Sequence, residues 1–428
     1  MKKEELIRKI NSGEIDEQFA ALYGAAEDVL KRQRARYENA VKKFSEIFPE
    51  REDIRLFSAP GRTEIGGNHT DHQHGCALAA AVNLDVIAVV AFHDDGVIRF
   101  YSEGYGMTEI DLSDLEVHPE KFGKSSEIIR GIAARFTSMG VTVGGFDAYS
   151  VSDVLSGSGL SSSAAFETLV GSIIDIHYND CHAGEVEIAK IGQYAENVYF
   201  GKGSGLLDQT VCSVGGFVFI DFLDTENPYV EKYSFDFEKA GYNLCITDTK
   251  GSHSDLTDDY VAVPTEMKSV ARQFGKEYLR EVDEYLFLRS INDLHGKCSD
   301  RAIMRAVHYF KENRRAVEEA QALDDGDINR FFEIYRRSAE SSATLLQNHY
   351  SVKKPTEQGI SLGLMMSRLI LGDDAAVRVH GGGFAGTIQA FVPTFKTNEY
   401  VRRMNALFGA GSCYVLRIRF VGGVEITI

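Results

Sequence analysis

Three glycine-rich stretches restrict what this chain can fold into more than any other feature of it. Residues 61–75 read GRTEIGGNHTDHQHG, residues 155–165 read LSGSGLSSSAA, and residues 378–387 read RVHGGGFAGT. Each adjoins segments with a clear secondary-structure signal. Residues 54–59 are strand-like and run into the first stretch. Residues 145–151 read as a strand leading into the second, and the apolar residues 164–178 read as a buried helix leaving it. Residues 377–379 and 387–392 read as strands on either side of the third. Glycine lets the backbone turn tightly and lets another backbone or a ligand approach closely. The second and third stretches alone also have ordinary explanations, a serine-capped helix after a flexible turn and a long hairpin turn.

The rest of the chain predicts a mixed α+β protein. Its 428 residues exceed one ordinary core, so two domains are expected. Residues 1–50 are charged and rich in helix formers, and predict helices that cover a surface, closed by Pro49. The apolar run 76–92 is interrupted by Asn83 and Asp85 and reads as a pair of buried elements, not a membrane span. Residues 84–92 and 96–101 are β-rich, with Asp94-Asp95-Gly96 as the turn between them. Residues 125–139 have helical spacing, residues 215–222, 242–247 and 414–420 read as strands, and residues 257–310 and 313–348 read as mostly helical. Turn formers cluster at 224–231, which divides the chain into a helical extension (1–50), a first domain (51–228) and a second domain (229–428).

The net charge of -17 argues against a general nucleic-acid or anionic-membrane partner. It leaves room for a phosphate ligand, since a local cation or a ring of backbone N–H groups suffices. The six cysteines have no paired spacing, and the first residues have no apolar run behind their basic ones, so a cytoplasmic protein with reduced thiols is expected.

The chemistry of the second stretch is that of an anion site. Its glycines let successive N–H groups converge, hydroxyls follow, and a helix then begins with its positive dipole end at the same point. No lysine follows the glycines, so it is not a Walker A loop. The first stretch packs Arg62, Glu64, His69, Asp71, His72 and His74 between glycines. It lacks the distant Cys/His partners of a zinc site, and an imidazole beside a carboxylate suits a sugar hydroxyl.

Together the three stretches resemble the GHMP kinases. GRTEIGGNHTDHQHG is similar to the galactokinase signature, usually GRVNLIGEHTDYNGG, while SGSGLSSSAA resembles the phosphate loop and RVHGGGFAGT the C-terminal glycine motif. Gln193 to Glu196 with Gly205 to Gln209, and Thr247 to Leu256 with Tyr260, resemble two further galactokinase segments. The resemblance implies a two-domain GHMP kinase fold, with a ribosomal protein S5 domain 2-like N-terminal domain, a ferredoxin-like C-terminal domain and the active site in the cleft between them. It implies an ATP-dependent sugar 1-kinase, most simply a galactokinase, with Mg²⁺ as cofactor and ATP and a sugar as its small-molecule partners. Gly157, Ser158, Gly159, Leu160, Ser161, Ser162 and Ser163 would wrap the phosphates, and Ser163 and Glu196 would hold the metal. Asp208 would face the reacting hydroxyl, as base or as electrostatic orienter, with Arg62 beside it. Asn68, His69, Asp71, Gly205 and Tyr260 would contact the sugar.

The chain departs from the usual signature in ways that bear on the sugar. Asn68 stands where a glutamate that contacts the C6 hydroxyl is usual, and Glu64-Ile65 replaces Asn-Leu. An uncharged amide there would repel a C6 carboxylate less, so galacturonic acid or another C6-modified sugar is an alternative substrate. A non-catalytic sugar sensor is a third reading, opposed by the presence of Ser163-Ala164, Arg62, Asp208 and Glu196.

Overall fold

The computed structural model describes residues 1–154, 159–251 and 256–427. The expectations for Gly157 and Ser158, and for His253, Ser254 and Asp255, fall outside these residues. The first strands are β1 (Arg55–Gly66), β2 (Cys76–His93), β3 (Val97–Ser102), β4 (Gly106–Asp111), β5 (Gly145–Ser152), β6 (Phe217–Asp221) and β7 (Tyr229–Tyr233). They are followed by β8 (Tyr242–Asp248), β9 (Ala376–His380), β10 (Thr387–Pro393), β11 (Cys413–Leu416) and β12 (Val424–Ile426). The first sheet runs β12-β1-β2-β5-β3-β4, with β6 paired to β2 and β7 to β6. The second runs β11-β8-β10-β9. Its strand–helices–strand–strand–helix–strand course is that of a ferredoxin-like unit.

Side-chain alternation sorts the first sheet into two faces. Leu56, Ile87, Val89, Ala91 and Tyr149 pack against Leu6, Phe19, Tyr37 and Phe44 of the N-terminal helices, Lys3–Ser12, Asp16–Tyr23 and Glu27–Ile47. Phe57, Ala88, Val90, Phe100 and Ala148 point the other way, into a core with the helices Ser125–Ser138 and Ser162–Tyr178. That core runs on through Phe237, Phe331, Tyr335 and Phe391 to Leu244 and Ile246 of the second sheet. The opposite face of the second sheet is covered by the helices Gly359–Leu371 and Thr397–Phe408.

Several local expectations are corrected. Residues 76–92 form one continuous strand and not two elements. The polar residues that suggested a break have partners: the Asn83 side-chain oxygen accepts from the Arg417 amide at 2.9 Å, and Asp85, fully buried, accepts from Arg36 at 2.6 Å and from Arg419 at 3.2 Å. The turn at Asp94-Asp95-Gly96 does not close a hairpin, because β5 lies between β2 and β3 and pairs in parallel with β3. The proposed interruption near 310–313 is absent, and one helix, Asp300–Asp324, crosses it. Asn313 has a tertiary role instead, its side-chain oxygen accepting from the Cys76 amide at 2.7 Å. The first sheet also reaches past residue 228, through β7 and through the return of β12 to β1.

Candidate functional site

β1 delivers the first functional side chain. Its register against β2 shifts between Pro60 and Arg62 and again between Glu64 and Gly66, so the strand bends as it enters the glycine stretch. Arg62 forms a two-pronged ion pair with Asp208, Nε to Oδ1 at 2.6 Å and Nη2 to Oδ2 at 2.7 Å. Its third nitrogen donates to the carbonyl of Gly159, and its amide donates to the carbonyl of Leu160 at 3.0 Å. Asp208 lies in the first turn of the helix Leu207–Val214 and accepts a third bond from the Ser161 hydroxyl. Burial works to raise the Asp208 carboxyl, but the charge and hydrogen bonds of Arg62, helped by Ser161, hold it below the ordinary aspartate value. The side chain still exposes 32% of its surface, so the pair is tied down on one side and open on the other.

Ser161 adopts a left-handed backbone conformation (φ 57°) just before the helix Ser162–Tyr178. This sharp turn places Ser161 on Asp208 while Ser163, the second residue of the helix, is exposed and Leu160 is fully buried. The positive end of the helix thus opens beside the Arg62–Asp208 pair. Glu196 is 3% exposed and sits in a π-helical turn, Ala195–Phe200. Lys202 donates to its Oε1 at 2.7 Å and Gln209 to its Oε2 at 3.0 Å. Each carboxylate oxygen keeps lone pairs beyond those bonds. A carboxylate and the Ser163 hydroxyl are the hard-oxygen donor types that would suit Mg²⁺ with phosphates and water completing its shell. Among the described residues there is no group of three or more His, Cys, Asp or Glu suited to a metal. Lys202, Gln209 and Glu167 were missed at the sequence level. The one available signal was Glu167, a carboxylate inside an otherwise apolar helical run.

Asp71 starts a short 3₁₀ turn, Asp71–Gln73, and Gly205 lies against it, with a Cβ at Gly205 falling 3.7 Å from Asp71 Oδ2. Burial raises the Asp71 carboxyl above its ordinary value, opposed by His69 and by the His72 backbone N–H. His69 Nε2 donates to the carbonyl of Gly382 at 2.9 Å, which fixes its tautomer, and His72 Nε2 reaches its Nδ1 at 3.3 Å. Tyr260, on the helix Thr257–Arg272, donates its hydroxyl to the carbonyl of Gly383 at 2.8 Å. Its ring explains the triple glycine in part: a Cβ on Gly382 would fall 2.6 Å from Tyr260 Cε1.

Asn68, expected to contact the sugar, is tied instead to other parts of the protein. It is 1% exposed. Its amide nitrogen donates to Glu64 Oε1 and to the carbonyl of Gly381, both at 2.8 Å, and its oxygen accepts from Asn348 at 3.0 Å. The physical reason is a stripe of polar residues on the helix Asp300–Asp324. His308, Glu312, Arg315 and Glu319 recur at spacings of four, three and four, hence on one face, and that face is turned toward the 64–68 segment. His308 donates to the carbonyl of Asn68 at 2.9 Å. Glu64 is paired with Arg378 at 3.1 Å, and Arg378 also donates to the carbonyl of Ile65 at 2.7 Å. Burial alone would raise the Glu312 carboxyl, but Arg315, His308 and Arg378 hold it at about 2. Glu319 fills the room left by Gly66, where a Cβ would lie 1.6 Å from Glu319 Oε2.

The two-sheet frame, with a glycine turn and a helix start beside an Arg–Asp pair, is that of the GHMP kinase class. The model of the GHMP kinases N terminal domain matches residues 127–216, and that of the galactokinase galactose-binding signature matches residues 42–92. A galactokinase of Actinobacillus pleuropneumoniae serotype 5b (strain L20) is 30% identical over 370 residues, covering 86% of this chain and 92% of the relative. One from Lactobacillus helveticus is 28% identical over 384 residues, covering 87% and 94%. Among solved structures, Lactococcus lactis galactokinase complexed with galactose superposes with a TM-score of 0.73 at 23% identity, over 90% of this chain and 98% of that one. Methanococcus jannaschii mevalonate kinase gives a TM-score of 0.61 at 14% identity, over 86% and 98%. The chain belongs to the galactokinase family of the GHMP kinases and is a sugar kinase. Among the described residues no helix is long and apolar enough to cross a membrane.

Proposed function

We propose that this sugar kinase transfers the γ-phosphoryl group of ATP to the anomeric hydroxyl of galactose. The observation that carries the reading is the Arg62–Asp208 pair, open on one side and tied by Ser161 to the start of the glycine-loop helix. Phosphoryl transfer asks a protein mainly to position the reactants and to stabilise charge. The open side of Asp208 accepts a hydrogen bond from the attacking hydroxyl and orients it. Its lowered basicity means that it takes the proton only late, as the oxygen bonds to phosphorus. Arg62 keeps the carboxylate ionised and offsets negative charge that gathers on the moving group. The backbone of Gly159 to Ser162 and the helix behind it hold the phosphates. Ser163 and Glu196 would hold Mg²⁺, which when bound neutralises phosphate charge. Asp71 and Gly205 line the sugar side next to Asp208, with Tyr260 and His69 holding the triple-glycine turn in place.

The galacturonate reading rested on Asn68 facing C6. Asn68 is instead buried, with both amide hydrogens and one lone pair of its oxygen engaged inside the protein, which weighs against that reading. A coupled ADP-release screen against galactose, galacturonate, N-acetylgalactosamine, arabinose and fucose tests the proposal. Galactose is expected to give the highest kcat/KM. A higher value for galacturonate would overturn the choice of sugar.

A further inference from the structure

Gln209 follows Asp208 in the chain and is 2% exposed. Its side-chain NH₂ has two hydrogens and uses both: one on Glu196 Oε2 and one on Glu167 Oε2, each at 3.0 Å. Glu167, 1% exposed, comes from the glycine-loop helix, and Glu196 from the π-helical turn. One carboxamide therefore joins three elements: the helix of Asp208, the helix of Ser163 and the turn of Glu196. The remaining oxygen of Gln209 and the remaining oxygen of Glu167 have no hydrogen-bond partner. Two unpartnered acceptors on groups already bonded to each other lack one shared hydrogen. A carboxylic acid and a carboxamide close such a ring with two bonds. The burial of Glu167 acts in that direction, pushing its carboxyl up to about 8, with the charge of Glu196 adding to the effect.

We propose that Gln209 is a positioning residue, clamped from behind by Glu167, that aims the carboxylate of Glu196 and fixes its distance from Asp208. Leaving Glu196 loose would misplace the metal-side oxygen relative to the hydroxyl that Asp208 orients. Partners behind a metal-facing carboxylate are worth about 10- to 100-fold in metal affinity elsewhere. The inference rests on the proposed role of Glu196 toward Mg²⁺.

The test is a Mg²⁺ titration of the binding of a non-hydrolysable ATP analogue by calorimetry, with the intact chain and no sugar. Gln209→Leu is expected to raise the half-saturating Mg²⁺ concentration by about tenfold or more, while metal-free nucleotide affinity changes little. Glu167→Leu should follow it, and Glu167→Gln, which keeps a donor for the Gln209 oxygen, should shift the titration less than Glu167→Leu. A fall in melting temperature with an unmoved Mg²⁺ requirement in both leucine variants would make the cluster a packing device and overturn the proposal. Glu196→Gln with an unmoved Mg²⁺ requirement would instead overturn the role of Glu196 on which the clamp depends. A parent chain that binds Mg²⁺ and nucleotide normally but phosphorylates none of the sugars would overturn the function proposed above, while the titration would still decide the clamp.

Discussion

Arg62 and Asn68 lie on one short stretch of chain and look equally fit, by residue type, to meet a sugar. The structure treats them in opposite ways. The Arg62 end meets Asp208, whose carboxylate retains a free side. The Asn68 end is buried and meets Glu64, Gly381 and Asn348, which take up both its donor hydrogens and one lone pair of its oxygen. The difference teaches that a polar side chain counts as a contact only after its internal hydrogen bonds are subtracted. Asn68 acts as a fastener between the first glycine stretch and the third, and Arg62 as part of a working surface.

The strongest test of that contrast is Asp208→Asn. Removing the charge should lower turnover by about a hundredfold or more, the range for groups that assist proton transfer, while calorimetry should still detect sugar binding. Next comes Asn68→Glu. A carboxylate there would lose both donor bonds and face Glu64, so unfolding in denaturant should show a stability loss of about 2 kcal/mol. The ratio of kcat/KM for galactose and galacturonate should stay put, and a large swing in that ratio would show that residue 68 reads C6 after all. Ser161→Ala removes one hydrogen bond to an ionised partner, and kcat should drop by about tenfold with little change in stability. The smallest effect concerns pH. The Asp208 carboxyl is lowered in the folded protein, so it stays ionised as pH falls to the ordinary aspartate value of about 3.9 and protonates only below it. The Asp208→Asn variant and the parent should therefore share any acid limb of kcat/KM above that value, and a limb present only in the parent would contradict the lowered carboxyl.

How much of this was legible in the sequence follows from the range of the interactions. The N-terminal helices, the strand entering the first glycine stretch and the helix leaving the second were readable because their signals are local and periodic. The pairing of Arg62 with Asp208 was anticipated only through the resemblance, since nothing local joins two residues so far apart. Asn83 and Asp85 misled because a polar residue in an apolar run looks like a break until its distant partners, Arg417, Arg36 and Arg419, are known. The same blindness hid Gln209, whose two carboxylates come from separate elements. It also hid the internal partners of Asn68, since Gly381 and Asn348 lie far from it in the sequence.

The return of β12 to β1 governs how the protein can be made. β12 pairs Ile426, Glu425 and Val424 with Leu56, Phe57 and Ser58. A chain emerging from the ribosome can stack its N-terminal helices, β1, β2 and β5 early. The flank of β1 nonetheless stays an unpaired strand edge until residues 424–426 have been synthesised. Throughout translation of the second sheet, that edge is available to other nascent chains. Chaperone demand during expression should therefore track the time taken to translate the second half of the message, and a stall upstream of codon 424 should leave an aggregation-prone intermediate with the first sheet still unsealed.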